Sequence, residues 1–153
     1  RGGVLVPPNL VAQLRPLAPA LRQRTLDLLT TALGGDKLAA EYLLLQLVSR
    51  VYTRAEPMAV GKLTVNYTCF PSAPPAAQEP GTQMVVPPLS PAAEQLRQVL
   101  AAVAPAVVGL PLSINLLNTS RLAPRKDYDK NILLAGRLQM GAGTALLIDE
   151  TVM

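Results

Sequence analysis

The sequence contains no histidine and no tryptophan, and its 153 residues include one phenylalanine and one cysteine. Without histidine the chain cannot supply a Ser-His-Asp triad, a Cys-His pair or a His-ligated zinc, and a single cysteine excludes a multi-cysteine metal site. Four tyrosines and one phenylalanine offer few rings on which nucleic-acid bases could stack. The sequence therefore predicts no metal, no cofactor and none of the common hydrolase mechanisms.

Long apolar runs and a secretory signal are also missing. Glu41 and Gln46 interrupt the richest apolar stretch before it reaches the ~18 residues that a membrane span needs. The single Cys69 cannot form an internal disulfide, and no signal sequence opens the chain, so we expect a soluble chain in a reducing intracellular compartment. The first residue is not Met, which predicts a fragment.

The charge of the chain is weakly positive. Fourteen basic and ten acidic residues give a formal charge of +4, and the basic residues are scattered, with only Arg125 and Lys126 adjacent. Scattered cations give a weaker electrostatic footprint than a dedicated nucleic-acid binder has. The net positive charge predicts a mild preference for acidic partners. Half of the residues are apolar, which permits a sizeable core.

The last residues of the chain combine two strand patterns with an acidic pair. Residues 137–140 alternate polar and apolar side chains, residues 141–143 contain two turn-forming glycines, and Ala145–Ile148 is a continuous apolar run. These patterns predict a hairpin whose second strand is covered on both faces. Asp149 and Glu150 then follow the end of that strand.

Four apolar residues followed by Asp149 and Glu150 form the Walker B arrangement of P-loop ATPases, whose aspartate helps to hold magnesium. Carboxylates just past the carboxyl end of a buried strand also lie where open α/β sheets bind ligands. The match is short, and the alternative is an acidic turn that ends a core strand.

Several longer phrases resemble the mini-chromosome maintenance (MCM) complex-binding protein family and occur in the same order. The phrase before the acidic pair, Leu134–Gly143, resembles the stretch that leads into Walker B in MCM helicase subunits. The resemblance covers most of residues 33 to 153. The matching phrases are Leu38–Leu45, Val51–Arg54, Gly61–Asn66, Lys126–Tyr128 and Leu147–Thr151.

This resemblance implies a function as well as a fold. The implied fold is a divergent AAA+-like domain of the MCM type. The implied function is a non-enzymatic regulator of DNA replication that binds MCM helicase subunits in the nucleus, promotes their release from chromatin or their assembly, and supports sister-chromatid cohesion during cell division. Association with chromatin would then be indirect.

Three helices are predicted from caps and apolar periodicity. Pro19 suits the first turn of a helix that ends at Gly34-Gly35, and its buried stripe is predicted from Leu21, Leu28, Leu29, Ala32 and Leu33. Asp36 is a good N-cap for a helix from Lys37 to Tyr52, which is apolar nearly all round and is therefore expected to be central and buried. Ser90 caps a third helix, which Pro105 stops.

Strands are predicted between these helices. Alternation from Val60 to Phe70 indicates a strand with one polar face, and Leu110–Leu117 indicates a buried strand. Residues 71–88 are rich in proline and alanine and are expected to form an extended loop, either a plain connection or a partner-binding segment. These elements predict that the whole chain, residues 1–153, is part of one α/β layered domain with a largely parallel sheet, incomplete at both ends. The resemblance implies that this domain is AAA+-like.

A phosphate-binding loop is the feature that an ATPase would need. Asp36-Lys37 at a helix start invites the comparison, but the loop is too short for the Gly-x-x-x-x-Gly-Lys spacing, and Leu38 stands where a hydroxyl would meet magnesium. The site is either a degenerate nucleotide pocket or a capped helix start. We therefore expect no catalytic residues and a vestigial acidic pair at Asp149 and Glu150.

The charged connector before the final hairpin is the predicted partner contact. It contains Arg125, Lys126, Tyr128 and Lys130. Charges at the rim of an interface tune the rate at which partners meet, and a central tyrosine can anchor the contact. The alternative is a solvated loop. Two functions stay open at this point, the MCM-binding regulator and a fragment of an active MCM-like ATPase or helicase, and a functional Walker A upstream would distinguish them.

Overall fold

The computed structural model describes residues 7–56, 58–69 and 88–151. They divide into two compact units at the Thr68–Cys69 boundary. Apart from Pro88, the proline-rich loop at 71–88 lies outside the described residues. The assignment of residues 1–153 to part of one AAA+-like domain stays a prediction.

The first unit is mainly helical. Its helices are α1 (Pro8–Leu14), a 3₁₀ turn (Arg15–Leu17), α2 (Ala18–Ala32) and α3 (Lys37–Val48). Helix α2 has Pro19 in its first turn and is followed by Gly34 and Gly35, whose φ angles of 67° and 94° are left-handed. The predicted glycine stop is therefore confirmed.

Helix α2 packs against α3 through a stripe that differs in part from the predicted one. Leu29, Ala32 and Leu33 are buried as expected, whereas Leu21 and Leu28 are about half exposed. Leu26 is buried instead. Leu26, Leu29 and Leu33 follow one another at spacings of three and four residues, so the buried face of α2 is a narrow stripe.

Helix α3 begins as predicted but is neither as long nor as buried as predicted. The Asp36 carboxylate accepts a hydrogen bond from the Ala39 amide at 3.0 Å. The helix ends at Val48, because Ser49 leaves the helical conformation, with ψ at 144°. Its buried residues are Ala40 and Leu43, so the expectation of a central, buried helix is wrong within the described residues.

After α3 the chain forms a short antiparallel pair, β1 (Thr53–Ala55) with β2 (Met58–Val60). The strand predicted from Val60 to Phe70 is wrong over residues 61–69, which join no strand ladder. Leu63, Val65 and Tyr67 are nevertheless half-buried and alternate with exposed neighbours. The alternation therefore indicates that one face of the segment is covered. At Tyr67 the covering element is α3, because the tyrosine hydroxyl donates a hydrogen bond to the Ala39 carbonyl at 3.0 Å.

The second unit contains the longest strands. Its elements are α4 (Pro91–Val103), β3 (Ala106–Pro111), α5 (Ile114–Thr119), β4 (Arg125–Asp127), β5 (Ile132–Leu134) and β6 (Thr144–Asp149). Strands β3 and β6 are parallel, in register from Ala106 with Thr144 to Pro111 with Asp149. Helix α4 packs against both strands and buries Ala93, Leu96 and Leu100.

The described strands form one parallel and two antiparallel pairs. A mixed helix-and-strand architecture is therefore confirmed, while parallel pairing is limited to β3 and β6 among the described residues. None of the helices in this part of the chain has the length and apolar character that crossing a lipid bilayer requires.

The segment Leu110–Leu117, predicted to be a strand, is strand only at its start. Pro111 ends β3, and the Ser113 hydroxyl accepts a hydrogen bond from the Leu116 amide at 3.1 Å, which caps α5. An apolar run of this length fits a buried strand or a buried helix, and here the serine cap decides for the helix. Leu116 is the buried residue of α5.

The hairpin predicted at residues 137–148 is wrong in its pairing. Strand β6 pairs with β3, and the antiparallel hairpin is formed upstream by β4 and β5, where Arg125 pairs with Leu134. The charged connector, one of whose readings was a solvated loop, therefore contains a hairpin. Parallel pairing joins segments far apart in sequence, which local alternation does not encode.

Candidate functional site

Asp149 is a buried carboxylate at the carboxyl end of β6, with 4% of its surface exposed. One oxygen, Oδ2, accepts a hydrogen bond from the Ser90 amide at 2.7 Å. The other, Oδ1, accepts from the Thr151 amide at 3.0 Å and from the Thr151 hydroxyl at 2.7 Å. Both oxygens are therefore engaged by the chain itself.

These contacts also set the protonation of the group. Burial alone would raise the pKa of Asp149, but hydrogen bonds from Thr151 and Ser90 outweigh burial and hold the pKa below its ordinary value. The carboxylate is therefore ionised at neutral pH. It lies where two backbone amides and a hydroxyl stabilise its charge.

Asp149 connects the end of β6 to the start of α4. Ser90, whose amide it binds, is itself the N-cap of that helix and accepts a hydrogen bond from the Ala93 amide at 3.3 Å. A negative charge near a helix N-terminus is favourable, because the unpaired amides there carry partial positive charge. The predicted position at a strand end is confirmed, and in that position Asp149 links two elements of the second unit.

The donor set around Asp149 does not fit a magnesium ion. Glu150 is exposed, and its neighbour Asp149 has its oxygens turned to protein amides. Within the described residues there is no group of three or more acidic or cysteine side chains placed to hold a metal ion. The hydrogen bonds of Asp149 hold the end of β6 to the start of α4, and the Walker B-like role of Asp149 and Glu150 stays a prediction.

The start of α3 also uses its amides internally. The Asp36 carboxylate receives the Ala39 amide, so a negative charge of the chain already occupies the helix N-terminus. Lys37 and Leu38 are exposed beside it. An anion such as phosphate would meet electrostatic repulsion from Asp36 at this position, and the arrangement is that of a capped helix start.

The tip of the β4–β5 hairpin is fixed by its own side chains. The Oδ1 atom of Asp127 accepts hydrogen bonds from the amides of Asp129 and Lys130 at 3.1 and 3.2 Å. Asn131 then adopts a left-handed conformation with φ of 51°, which asparagine tolerates better than most residues. The turn between the strands is therefore a defined structure.

The predicted contact residues Arg125, Lys126, Tyr128 and Lys130 all belong to this hairpin and are exposed. The Lys126 ammonium nitrogen lies 5.2 Å from the centroid of the Tyr128 ring, a cation–π distance. The structure therefore brings these four residues onto one projecting element.

The base of the hairpin is closed by backbone contacts. Arg137 and Leu138 donate amide hydrogen bonds to the carbonyls of Arg121 and Leu122 at 2.9 and 3.0 Å. A side chain at Gly136 would collide with backbone atoms of Leu122 and Ala123, so only glycine allows this close approach.

Sequence reasoning missed two features of these sites. Leu133, which no sequence pattern singled out, is 65% exposed on β5. Ser90 and Thr151 were not identified as the partners of Asp149. A threonine two residues after an aspartate is a local signal for such a contact, whereas Ser90, 59 positions away, gives none.

Comparison with known proteins gives a consistent match over most of the chain. The family model described as mini-chromosome maintenance replisome factor matches residues 8–153. Mini-chromosome maintenance complex-binding proteins are similar, with 38% identity over 143 residues in Gallus gallus and 38% over 133 residues in Homo sapiens. The protein of that name from Arabidopsis thaliana is 36% identical over 131 residues.

These alignments cover most of this chain but a small part of each relative. They include 94%, 87% and 86% of this chain and 19%, 18% and 20% of the chicken, human and Arabidopsis proteins. The chain thus spans about a fifth of the length of these relatives. No solved structure matches it significantly.

Proposed function

Because this chain belongs to the mini-chromosome maintenance replisome factor family, we propose that it is part of a non-enzymatic regulator of DNA replication that binds MCM helicase subunits. The observation that carries the proposal is the family match over residues 8–153, together with relatives named as MCM complex-binding proteins. The partner of this chain is then an MCM subunit.

We propose further that the fold is a divergent AAA+-like domain of the MCM type. The parallel pair β3–β6, with α4 packed on it and Asp149 at its carboxyl end, supports this fold. MCM subunits assemble by docking one such domain against the next. A relative that keeps this surface without an active site would compete for those interfaces or cap them.

The cellular role that fits this activity is removal of MCM complexes from chromatin or support of their assembly. We place the protein in the nucleus, with an indirect association with chromatin and a contribution to sister-chromatid cohesion in mitosis. Immunofluorescence through the cell cycle and chromatin fractionation after depletion test these two parts of the proposal. An exclusively cytoplasmic protein, or unchanged MCM release and assembly, would contradict it.

The engaged oxygens of Asp149 and the Asp36 cap both argue against an active ATPase fragment. We expect the purified full-length protein to show no magnesium-dependent ATP hydrolysis above background. The exposed Glu150 would then be dispensable, and Glu150→Gln would leave MCM binding intact. Turnover by the wild type that disappears in Glu150→Gln would establish the ATPase function instead.

The contact that we propose is the exposed hairpin tip. A variant with Arg125→Glu, Lys126→Glu, Tyr128→Ala and Lys130→Glu should lose most of its co-purification with MCM subunits, because it removes three cations and an exposed ring from one element. Its thermal stability should stay near that of the wild type. The measurement is affinity purification from nuclear extract followed by quantitative mass spectrometry.

A matched control places the same changes in the first unit. Arg24→Glu, Arg50→Glu, Lys62→Glu and Tyr52→Ala alter three exposed cations and an exposed tyrosine and should leave co-purification unchanged. Equal loss in both variants would show a general charge effect and reject the hairpin as the contact. Absence of MCM subunits from the wild-type purification would reject the regulator function itself.

A further inference from the structure

The two faces of the β4–β5 hairpin carry different side chains. In an antiparallel pair, residues opposite each other share a face, and successive residues alternate between faces. The register pairs Lys126 with Leu133, whereas Arg125 and Asp127 pair with Leu134 and Ile132 on the opposite face. The hairpin therefore separates residues that are adjacent in sequence.

One of these faces is more open than the other. On the less open face Asp127 and Leu134 are half-buried, although the residue paired with each of them is exposed. On the other face Lys126 is exposed and Leu133 is 65% exposed, and Tyr128, beside the Lys126 ammonium group, is 81% exposed. We call Lys126, Tyr128 and Leu133 the open face. It presents an aliphatic and an aromatic side chain to solvent next to a cation.

The charge around the open face has a clear sign. Five exposed cations lie on the hairpin and at its base, and they are Arg121, Arg125, Lys126, Lys130 and Arg137. Two carboxylates accompany them, and one of these, Asp127, already accepts two amide hydrogen bonds within the turn. A partner that complements this element must carry negative charge.

We propose that the open face docks an acidic segment that bears an apolar side chain. The apolar side chain would pack on Leu133 and Tyr128, while carboxylates beside it would meet Lys126 and the neighbouring cations. The inference rests on the proposed function, because the segment belongs to the MCM partner. It narrows the contact to one face and adds Leu133, while Arg125 lies on the opposite face.

The alternation of the hairpin supplies matched variants. In the full-length protein, Lys126→Glu and Leu133→Ser should each weaken binding to purified MCM subunits at least tenfold, as measured by biolayer interferometry. Ile132→Ser makes a matched apolar-to-polar change one position away on the other face, and Arg24→Glu reverses an exposed cation of the first unit. Both control variants should stay within twofold of the wild type. Lys126→Glu should also reduce the salt dependence of the affinity.

Each outcome of this experiment is decisive. If the wild type binds and all four variants stay within twofold of it, the open face is not the docking site. The same conclusion follows if both pairs of variants are weakened equally. In either case the proposed regulator function is unaffected. Absence of any wild-type binding overturns the regulator function and with it this inference. Circular dichroism and thermal melts of all four variants, matched to the wild type, confirm that the comparison is made between folded proteins.

Cross-linking tests the chemistry of the partner. Photo-reactive benzoylphenylalanine at position 133 should capture an MCM peptide with an excess of Asp and Glu, and the same group at position 132 should capture it far less. A captured peptide without that acidic excess overturns the proposal. A cross-link from position 133 to another part of the same polypeptide also overturns it, because the chain itself would then cover the face.

Discussion

Helices α3 and α4 begin in the same way and differ in what covers them. Each has a side-chain cap, Asp36 in one and Ser90 in the other. Helix α4 has a clear apolar stripe and buries it against β3 and β6, whereas α3 leaves Leu38 and Val48 exposed, at 65% and 64%. Apolar content therefore does not measure burial, and the packing partner decides which apolar residues contribute to stability.

The two N-caps show the same contrast in burial as the helices that they begin. The Asp36 carboxylate caps its own helix, and that hydrogen bond is exposed. Ser90 is buried, and its amide binds a carboxylate 59 positions away. The first cap is a local device, while the second also connects two elements of its unit. This difference predicts how strongly each helix responds to mutation.

The largest difference is expected between leucines on the two helices. Leu96→Ala on α4 should reduce the free energy of unfolding by about 3 kcal/mol, because it removes a buried side chain and leaves a cavity. Leu38→Ala on α3 should change it by less than about 0.5 kcal/mol. Urea denaturation of both variants measures the contrast, and equal losses would show that Leu38 is covered in solution.

The next largest effect is expected at Asp149, the last residue of β6, in comparison with Glu150, which follows the strand. Asp149→Ala should cost about 2 kcal/mol, since the buried amide of Ser90 would lose its acceptor. Glu150→Ala, at an exposed neighbouring position, should stay within about 0.5 kcal/mol. The same urea titration applies, and a stable Asp149→Ala protein would remove the structural role given to this carboxylate.

Removal of the caps tests the comparison more finely. Ser90→Ala should cost about 1.5 kcal/mol and Asp36→Ala about 0.5 kcal/mol, within the usual range for N-caps. The buried cap is expected at the upper end because its surroundings exclude water that could replace the hydroxyl. Thermal melting of both variants gives the order, and a larger loss for Asp36→Ala would reverse the argument.

The smallest effect concerns acid stability. The folded-state pKa of Asp149 lies below its ordinary value of 3.8, so the stabilisation is present above pH 3.8 and is lost as the pH falls through the lower folded-state value. The wild type should therefore lose more stability than Asp149→Asn between about pH 5 and pH 2. Parallel acid dependence of the two proteins would show that Asp149 does not titrate below its ordinary range.

Local chemistry made part of this structure predictable. The caps Asp36 and Ser90, the glycines after α2 and the acidic end of β6 all follow from residues that lie within a few positions of the feature they specify. The family resemblance, carried by phrases spread along the chain, was confirmed by the family match over residues 8–153.

Long-range pairing explains what was not predicted. Alternation correctly marks Leu63, Val65 and Tyr67 as a covered face, but the same pattern arises whether the segment joins a strand ladder or runs beside a helix. Strand β6 pairs with β3 rather than with its neighbour in sequence, and nothing near Asp149 specifies Ser90 as a partner. Partners chosen by tertiary packing leave no local trace.

The closed base and fixed tip of the hairpin affect the entropy of any association that uses it. Gly136 holds the base where no larger residue fits, and Asp127 fixes the turn through two amides. The backbone between them is thus ordered when the chain folds, before a partner arrives. Docking on Lys126 and Leu133 would then restrict side-chain rotamers and little else. Because little backbone ordering is needed on binding, this preorganisation would favour slow dissociation.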